Sequence, residues 1–126
     1  MDLERIKAEY ADRANFLLVY VREAHACDEW EMEDNTKAGV RVVQPASDAD
    51  RRAAAAAFAA HVRTTMPVVV DRVDDAVGVP WGAWPERLYV LDAAGRVIYR
   101  GGPGPFEFRP EEVAEVLRGL PRETRF

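Results

Sequence analysis

The stretch from Glu23 to Cys27 brings together three side chains that could do chemistry: a carboxylate, the imidazole of His25 and a thiol. Glu23 and His25 are two apart, so on an extended chain they point to the same side. Histidine titrates near neutral pH and can take or give a proton. A thiol attacks as the thiolate, and His25 would help Cys27 ionise, whereas Asp28, Glu29 and Glu31 would oppose it by repulsion. A structural reading competes at each position. His25 would then be a hydrogen-bonded loop histidine, Glu23 a solvated charge and Cys27 an ordinary loop cysteine. A metal site built from His25, Cys27 and Asp28 matches no cage spacing, so no metal is expected. Trp30, and the pair Trp81 and Trp84 beside Pro85, could wall a pocket for an aromatic ligand or simply cover a core. Gly101 to Gly104 is not a phosphate loop, because no Gly-Lys-Ser/Thr follows. No Ser/His/Asp arrangement can be read from the spacing.

These residues need elements to hold them. Asp2 is placed to cap a helix running to about Arg13, with Leu3, Ile6 and Tyr10 on one apolar face. FLLVYV, from Phe16 to Val21, is short, apolar and without polar alternation, which predicts a strand buried on both faces, as in a parallel sheet. The acidic stretch from Arg22 to Asn35 then reads as a long loop at the end of that strand, where α/β folds tend to put their chemistry. Val40 to Val43 reads as a short extended piece. Ser47 and Asp50 resemble a capping box before an alanine-rich helix from Arg51 to Arg63. Three further strands are predicted at Pro67–Asp71, Arg87–Asp92 and Arg96–Arg100. Ala93-Ala94-Gly95 makes a hairpin turn of the last two, and Gly95 suits a positive φ. Arg72 to Gly82 reads as irregular, with one helical turn. Pro110 opens a final helix that Gly119 and Pro121 end.

The whole chain sets bounds. Its 126 residues fit one domain, 1–126, long enough to bury a core without staples. A net charge of −5 argues against phosphate-neutralising contacts, so no nucleic-acid partner is expected. No apolar run reaches half of the ~20 residues a bilayer helix needs, and the N-terminus lacks signal-peptide architecture. A single cysteine cannot form an internal disulfide. The expectation is a cytoplasmic protein with no membrane partner.

FLLVYVREAHACDEW (Phe16 to Trp30) resembles the iodothyronine deiodinase family, whose strand of this type leads into Glu-Ala-His, a serine in a Ser-Asp-Gly context, and a Trp. The resemblance continues, in order, through ADRRAAA, VVVDRVDD, GAWPERLYVLDAAGRVIYRGGPGPF and EEVAEVL, nearly the whole chain. It implies a thioredoxin-like α/β fold, with a central mixed sheet, flanking helices and a cis proline at Pro85 before the third strand. It also implies reductive removal of halogen from a phenolic ring, with a thiol reductant as co-substrate and no bound cofactor. Family members use selenocysteine or cysteine as the nucleophile. Glu23 and His25 match the acid and imidazole that handle protons there, and Trp30, Trp84 and Pro85 would meet a small aromatic substrate. The departures are specific. The family's nucleophile lies in a strand and loop upstream of the first helix, a segment expected to be missing here. Cys27 stands where the family has its loop serine and not at the nucleophile position, so the chain as given is expected to be incomplete or inactive in the family reaction. A second family histidine has no counterpart in RVVQPASDADRR, and His61 is expected to be a partly exposed helix residue. Without the upstream strand, FLLVYV and RLYVLD must pair directly or take a strand from a second chain, so a homodimer or a rearranged sheet is expected. The rival reading is a non-catalytic thioredoxin-like binding or dimerisation module.

Overall fold

Asp2 starts the first helix as its side chain predicts. In this computed structural model, which describes residues 2–23 and 44–122, its carboxylate accepts the Glu4 N–H at 3.1 Å. Helix α1 (Leu3–Glu9) is shorter than expected, and residues 10–13 continue as turns. Strand β1 (Leu18–Tyr20) follows. Helix α2 (Asp48–Val62) begins directly after Ser47, whose hydroxyl accepts the Asp50 N–H at 3.1 Å. The cap thus fixes the start three residues before the alanine run does. Strand β2 (Val68–Val70), strands β3 (Tyr89–Leu91) and β4 (Val97–Arg100), and helix α3 (Pro110–Arg118) complete the order. Pro110 lies in the first turn of α3 and Gly119 caps its end. No described helix is long and apolar enough to cross a membrane.

One core holds α1, α3 and the hairpin together. Ile6, Tyr10, Val90, Val113, Ala114 and Leu117 are its buried members, with Leu3, Phe16, Leu88 and Tyr99 against them. Burying an aliphatic or aromatic side chain stabilises by about 1.5–3 kcal/mol, which makes this cluster the main support of the fold. Arg13 adds a polar tie, donating to the carbonyls of Leu117 at 3.3 Å and Arg118 at 2.7 Å, where the end of α3 leaves acceptors open.

Among the described residues the strands form two two-stranded sheets, where a single central mixed sheet was expected. β1 and β2 are parallel, with Leu18 opposite Val68 and Tyr20 opposite Val70. β3 and β4 are antiparallel, with an irregularity between Val90 and Leu91. Gly95, at φ +83°, closes the hairpin as predicted, and Asp92 accepts the N–H groups of Ala94 and Arg96. β1 and β3 do not pair with each other. Leu18 N–H and Tyr20 C=O turn towards β2, while Leu88 C=O and Asp92 N–H turn towards β4. Backbone alternation then aims the groups of Val19, Tyr89 and Leu91 at the opposite edges, which have no ladder partner among the described residues. β1 is also not buried on both faces. Leu17 is 60% and Val19 37% exposed, while Tyr20 is buried, so an apolar run without polar alternation alternates in burial all the same.

Glu4 pins α1 to the segment before β2. Its carboxylate accepts the Thr65 N–H at 2.9 Å, the Thr64 hydroxyl at 2.7 Å and the Thr65 hydroxyl. These bonds, that of the Thr65 hydroxyl first, hold its pKa down at about 2, against an ordinary 4.5. A carboxyl depressed in the folded state stabilises above its unfolded pKa and ceases to do so as pH falls through the folded value. Glu4→Gln should therefore lower the urea midpoint at neutral pH, with the gap from the parent closing between pH 4.5 and about 2. A gap that does not change with pH would show that the ionised carboxylate is not what stabilises.

Candidate functional site

Glu23 follows the carboxyl end of β1, and the fold holds it from two sides. Tyr20, the last residue of β1, is buried with its ring 5.6 Å from that of Phe58 on α2. A buried phenol needs an acceptor for its proton. Tyr20 finds one in Glu23, donating to Oε2 at 2.6 Å. Burial, then the bond to Glu23 and that residue's charge, push the Tyr20 phenol well above its ordinary range. The proton therefore stays on the tyrosine at neutral pH and the Glu23 carboxylate accepts it. On the other side, Gln44, just before the Ser47 cap of α2, donates its amide to the Glu23 carbonyl at 3.0 Å. Glu23 is thus a half-buried, positioned carboxylate rather than a solvated charge. His25, Cys27 and Trp30 lie outside the described residues.

Arg51 lies under this corner. It is 2% exposed, and its Nη1 meets both the Arg72 carbonyl and Asp75 Oδ1, the latter at 3.1 Å. Its Nε is buried without a hydrogen-bond partner among the described residues. Asp71, at the end of β2, is also buried. It accepts the N–H groups of Arg72, Val77 and Gly78 at 2.8, 2.9 and 2.7 Å. One carboxylate thereby folds the segment after β2 back on itself. This segment, read from sequence as irregular, is a series of overlapping turns ending at Gly82.

That segment delivers the aromatic residues. The Trp84–Pro85 bond is cis, as the family resemblance implied. Trp84 is 46% and Trp81 37% exposed, and Trp81 meets Tyr89 edge-on with ring centres 4.9 Å apart. The turn at Pro85 rests on the turn at Gly104, whose N–H donates to the Glu86 carbonyl at 2.9 Å, and a β-carbon on Gly104 would collide with the Glu86 side chain. No hydrogen bond, ion pair or ring contact joins Glu23 to Trp84 or Pro85 among the described residues, so the two parts of the expected site are positioned independently. An apolar groove of about 230 Å³ between α2 and β2, lined by Arg52, Ala55, Ala56, Ala59, Val68 and Val70, contains none of the predicted site residues. His61 is exposed, and no described cluster of acids and histidines could hold a metal ion.

Tyr20, Arg51 and Asp71 were not singled out from the sequence. Tyr20, three residues before Glu23 in an apolar strand, carried the one available signal: a phenol that must be satisfied once buried.

A family model described as Iodothyronine deiodinase matches residues 1–120. Type I iodothyronine deiodinase of Xenopus laevis is 36% identical over 116 residues, covering 92% of this chain and 44% of that protein. Thyroxine 5-deiodinase of Sparus aurata is 38% identical over 114 residues, 90% of this chain and 41% of that protein. Type II iodothyronine deiodinase of Petromyzon marinus is 36% identical over 118 residues, 89% and 38% respectively. The chain spans less than half the length of these curated relatives.

Proposed function

Because the chain belongs to the iodothyronine deiodinase family, we propose that it is an oxidoreductase domain that reductively removes halogen, iodine foremost, from a phenolic ring with a thiol as co-substrate. The family match over nearly the whole chain carries this reading. In the proposed reaction a thiolate sulfur bonds to iodine as the carbon–iodine bond breaks, and the ring carbon takes a proton. A second thiol then attacks the sulfur, giving a disulfide and iodide. Two thiols are oxidised, one carbon–iodine bond is reduced, and one proton is released with the iodide. Glu23 and His25 handle the protons, as a carboxylate and an imidazole can. The bond from Tyr20 supports that role for Glu23, because a positioning donor fixes which carboxylate oxygen is free to exchange a proton. Trp30, Trp84 and Pro85 hold the aromatic ring. Cys27, the sequence's one thiol, is the candidate attacking group within this chain.

Iodide release from a diiodophenol with excess dithiol, measured beside Cys27→Ser, tests this. Turnover that disappears on substitution is the expected result and assigns the attack to Cys27. Turnover that survives moves the attack elsewhere. No turnover in either chain would overturn the catalytic reading in favour of a thioredoxin-like binding module.

A further inference from the structure

Strand β2 leaves part of its backbone unpaired. Its ladder to β1 runs through the Pro67 carbonyl, which accepts the Leu18 N–H, and the Asp71 N–H, which donates to the Tyr20 carbonyl. In this parallel register, with Val69 opposite Val19, the Val69 groups also face β1. The N–H and C=O groups of Val68 and Val70 therefore point the other way. No strand lies on that outer side among the described residues. An open edge of this kind is where a further strand pairs.

The side chains beside that edge are apolar and small. Val68 and Val70 line the groove of about 230 Å³ together with Ala55, Ala56 and Ala59 of α2. Alternate residues of a strand share a face, so a strand added to β2 would bring every second side chain over this groove. The alanines leave room there for apolar side chains. Arg52 lines the same groove and is exposed. It forms no ion pair among the described residues. Asp48, one turn before it, is committed to the Val73 N–H at 2.9 Å. Its neighbour Arg51 donates to the Arg72 carbonyl, so this end of α2 stands at the carboxyl end of β2. Arg52 thus meets the part of an added strand that lies beyond Val70. A cation there deters a neutral strand and favours one that brings an acid. A second copy of β2 brings none. In a two-fold antiparallel pairing Val70 faces the copy's Val68, and the residues next to Arg52 are then Pro67, Met66 and Thr65.

We propose that the outer edge of β2 is a strand-addition site for an extended peptide segment of a partner protein, with apolar residues at alternate positions and an acidic residue against Arg52. The probe is the capped peptide Thr-Glu-Thr-Val-Thr-Val-Thr-Glu-Thr. Its glutamates flank the valines on one face, so either strand direction presents an acid to Arg52. Binding to the full chain at low salt is followed by amide hydrogen exchange. The Val68 and Val70 amides should become protected, while that of Val69, already bonded to β1, should change little. Glutamine in place of both glutamates should weaken binding about fivefold, the upper range for an exposed ion pair. Added salt should shrink that difference. Arg52→Glu should reverse the order and favour a peptide with lysine at those positions, in a chain that still melts cooperatively. Three results overturn the proposal: no protection of Val68 and Val70 at millimolar peptide, equal affinity of the parent for the glutamate and glutamine peptides, or a glutamate preference that survives Arg52→Glu. Protection of the two amides before any peptide is added overturns it too, and gives the edge to a second copy where the chain sediments as a dimer.

Discussion

Arg51→Ala should cost about 3 kcal/mol of folding free energy, a large share of the ~5–15 kcal/mol that holds a domain of this kind together. Three losses combine. The apolar stem of a side chain only 2% exposed leaves a cavity. The Arg72 carbonyl loses one of its two donors, keeping the Asp75 N–H, and Asp75 loses its counter-charge. A charge stranded near the interior costs more than the intact pair contributed, because its desolvation is no longer offset. Arg51→Met separates these effects by refilling much of the volume without restoring the donor. Its deficit should be smaller and should trace mainly to Asp75. In that background Asp75→Asn should cost less than in the parent, since the unpaired charge is then what is removed. Urea unfolding of the four chains gives the coupling directly, expected in the range of about 1–3 kcal/mol. Strict additivity would mean that the 3.1 Å contact holds nothing together.

The same residue shows where sequence reading stops. Capping and turn chemistry are local, and Asp2, Ser47, Gly95 and Pro110 announce their elements because each satisfies or frees a backbone group within a few residues. Arg51 looks like one more charged residue on an alanine-rich helix. Its burial depends on Arg72 and Asp75, more than twenty residues away, and composition cannot report that pairing. Asp71 is similar, since three N–H groups converge on it only after the chain folds back. The split of the strands into two pairs was only half legible. Strand type and the hairpin could be read from apolar runs and Gly95, but no residue in FLLVYV says which of its edges will find a partner. Of the expected site, Glu23 and the cis bond at Pro85 could be placed from sequence because a family pattern carries them. The donor that orients Glu23 could not, since Tyr20 reads as one more apolar strand residue until its hydroxyl is buried.

Glu23→Gln should lower the turnover number for an iodinated phenol by about 10²–10⁴-fold, the usual loss when a positioned acid–base group is removed. The amide keeps the size of the side chain and can still accept the Tyr20 proton, so the hydrogen bond at 2.6 Å and the fold should both survive. Only the capacity to exchange a proton with the reacting ring is lost. Tyr20→Phe makes the complementary change. The carboxylate stays and its donor goes, which lets the side chain turn and exposes it to water. That variant should lose only about tenfold, since orientation is weakened while the proton remains available. It should also remove one high-pH phenol step from an ultraviolet absorbance titration, because burial and the bond to Glu23 push the Tyr20 phenol upward. The ordering of the two variants is the discriminating result. If Glu23 acts in chemistry, the glutamine falls far below the phenylalanine in turnover number while their substrate KM values stay close. If Glu23 only braces the end of β1, the order reverses: the amide, which keeps the bond, stays near the parent, and Tyr20→Phe, which breaks it, suffers more in stability than in rate.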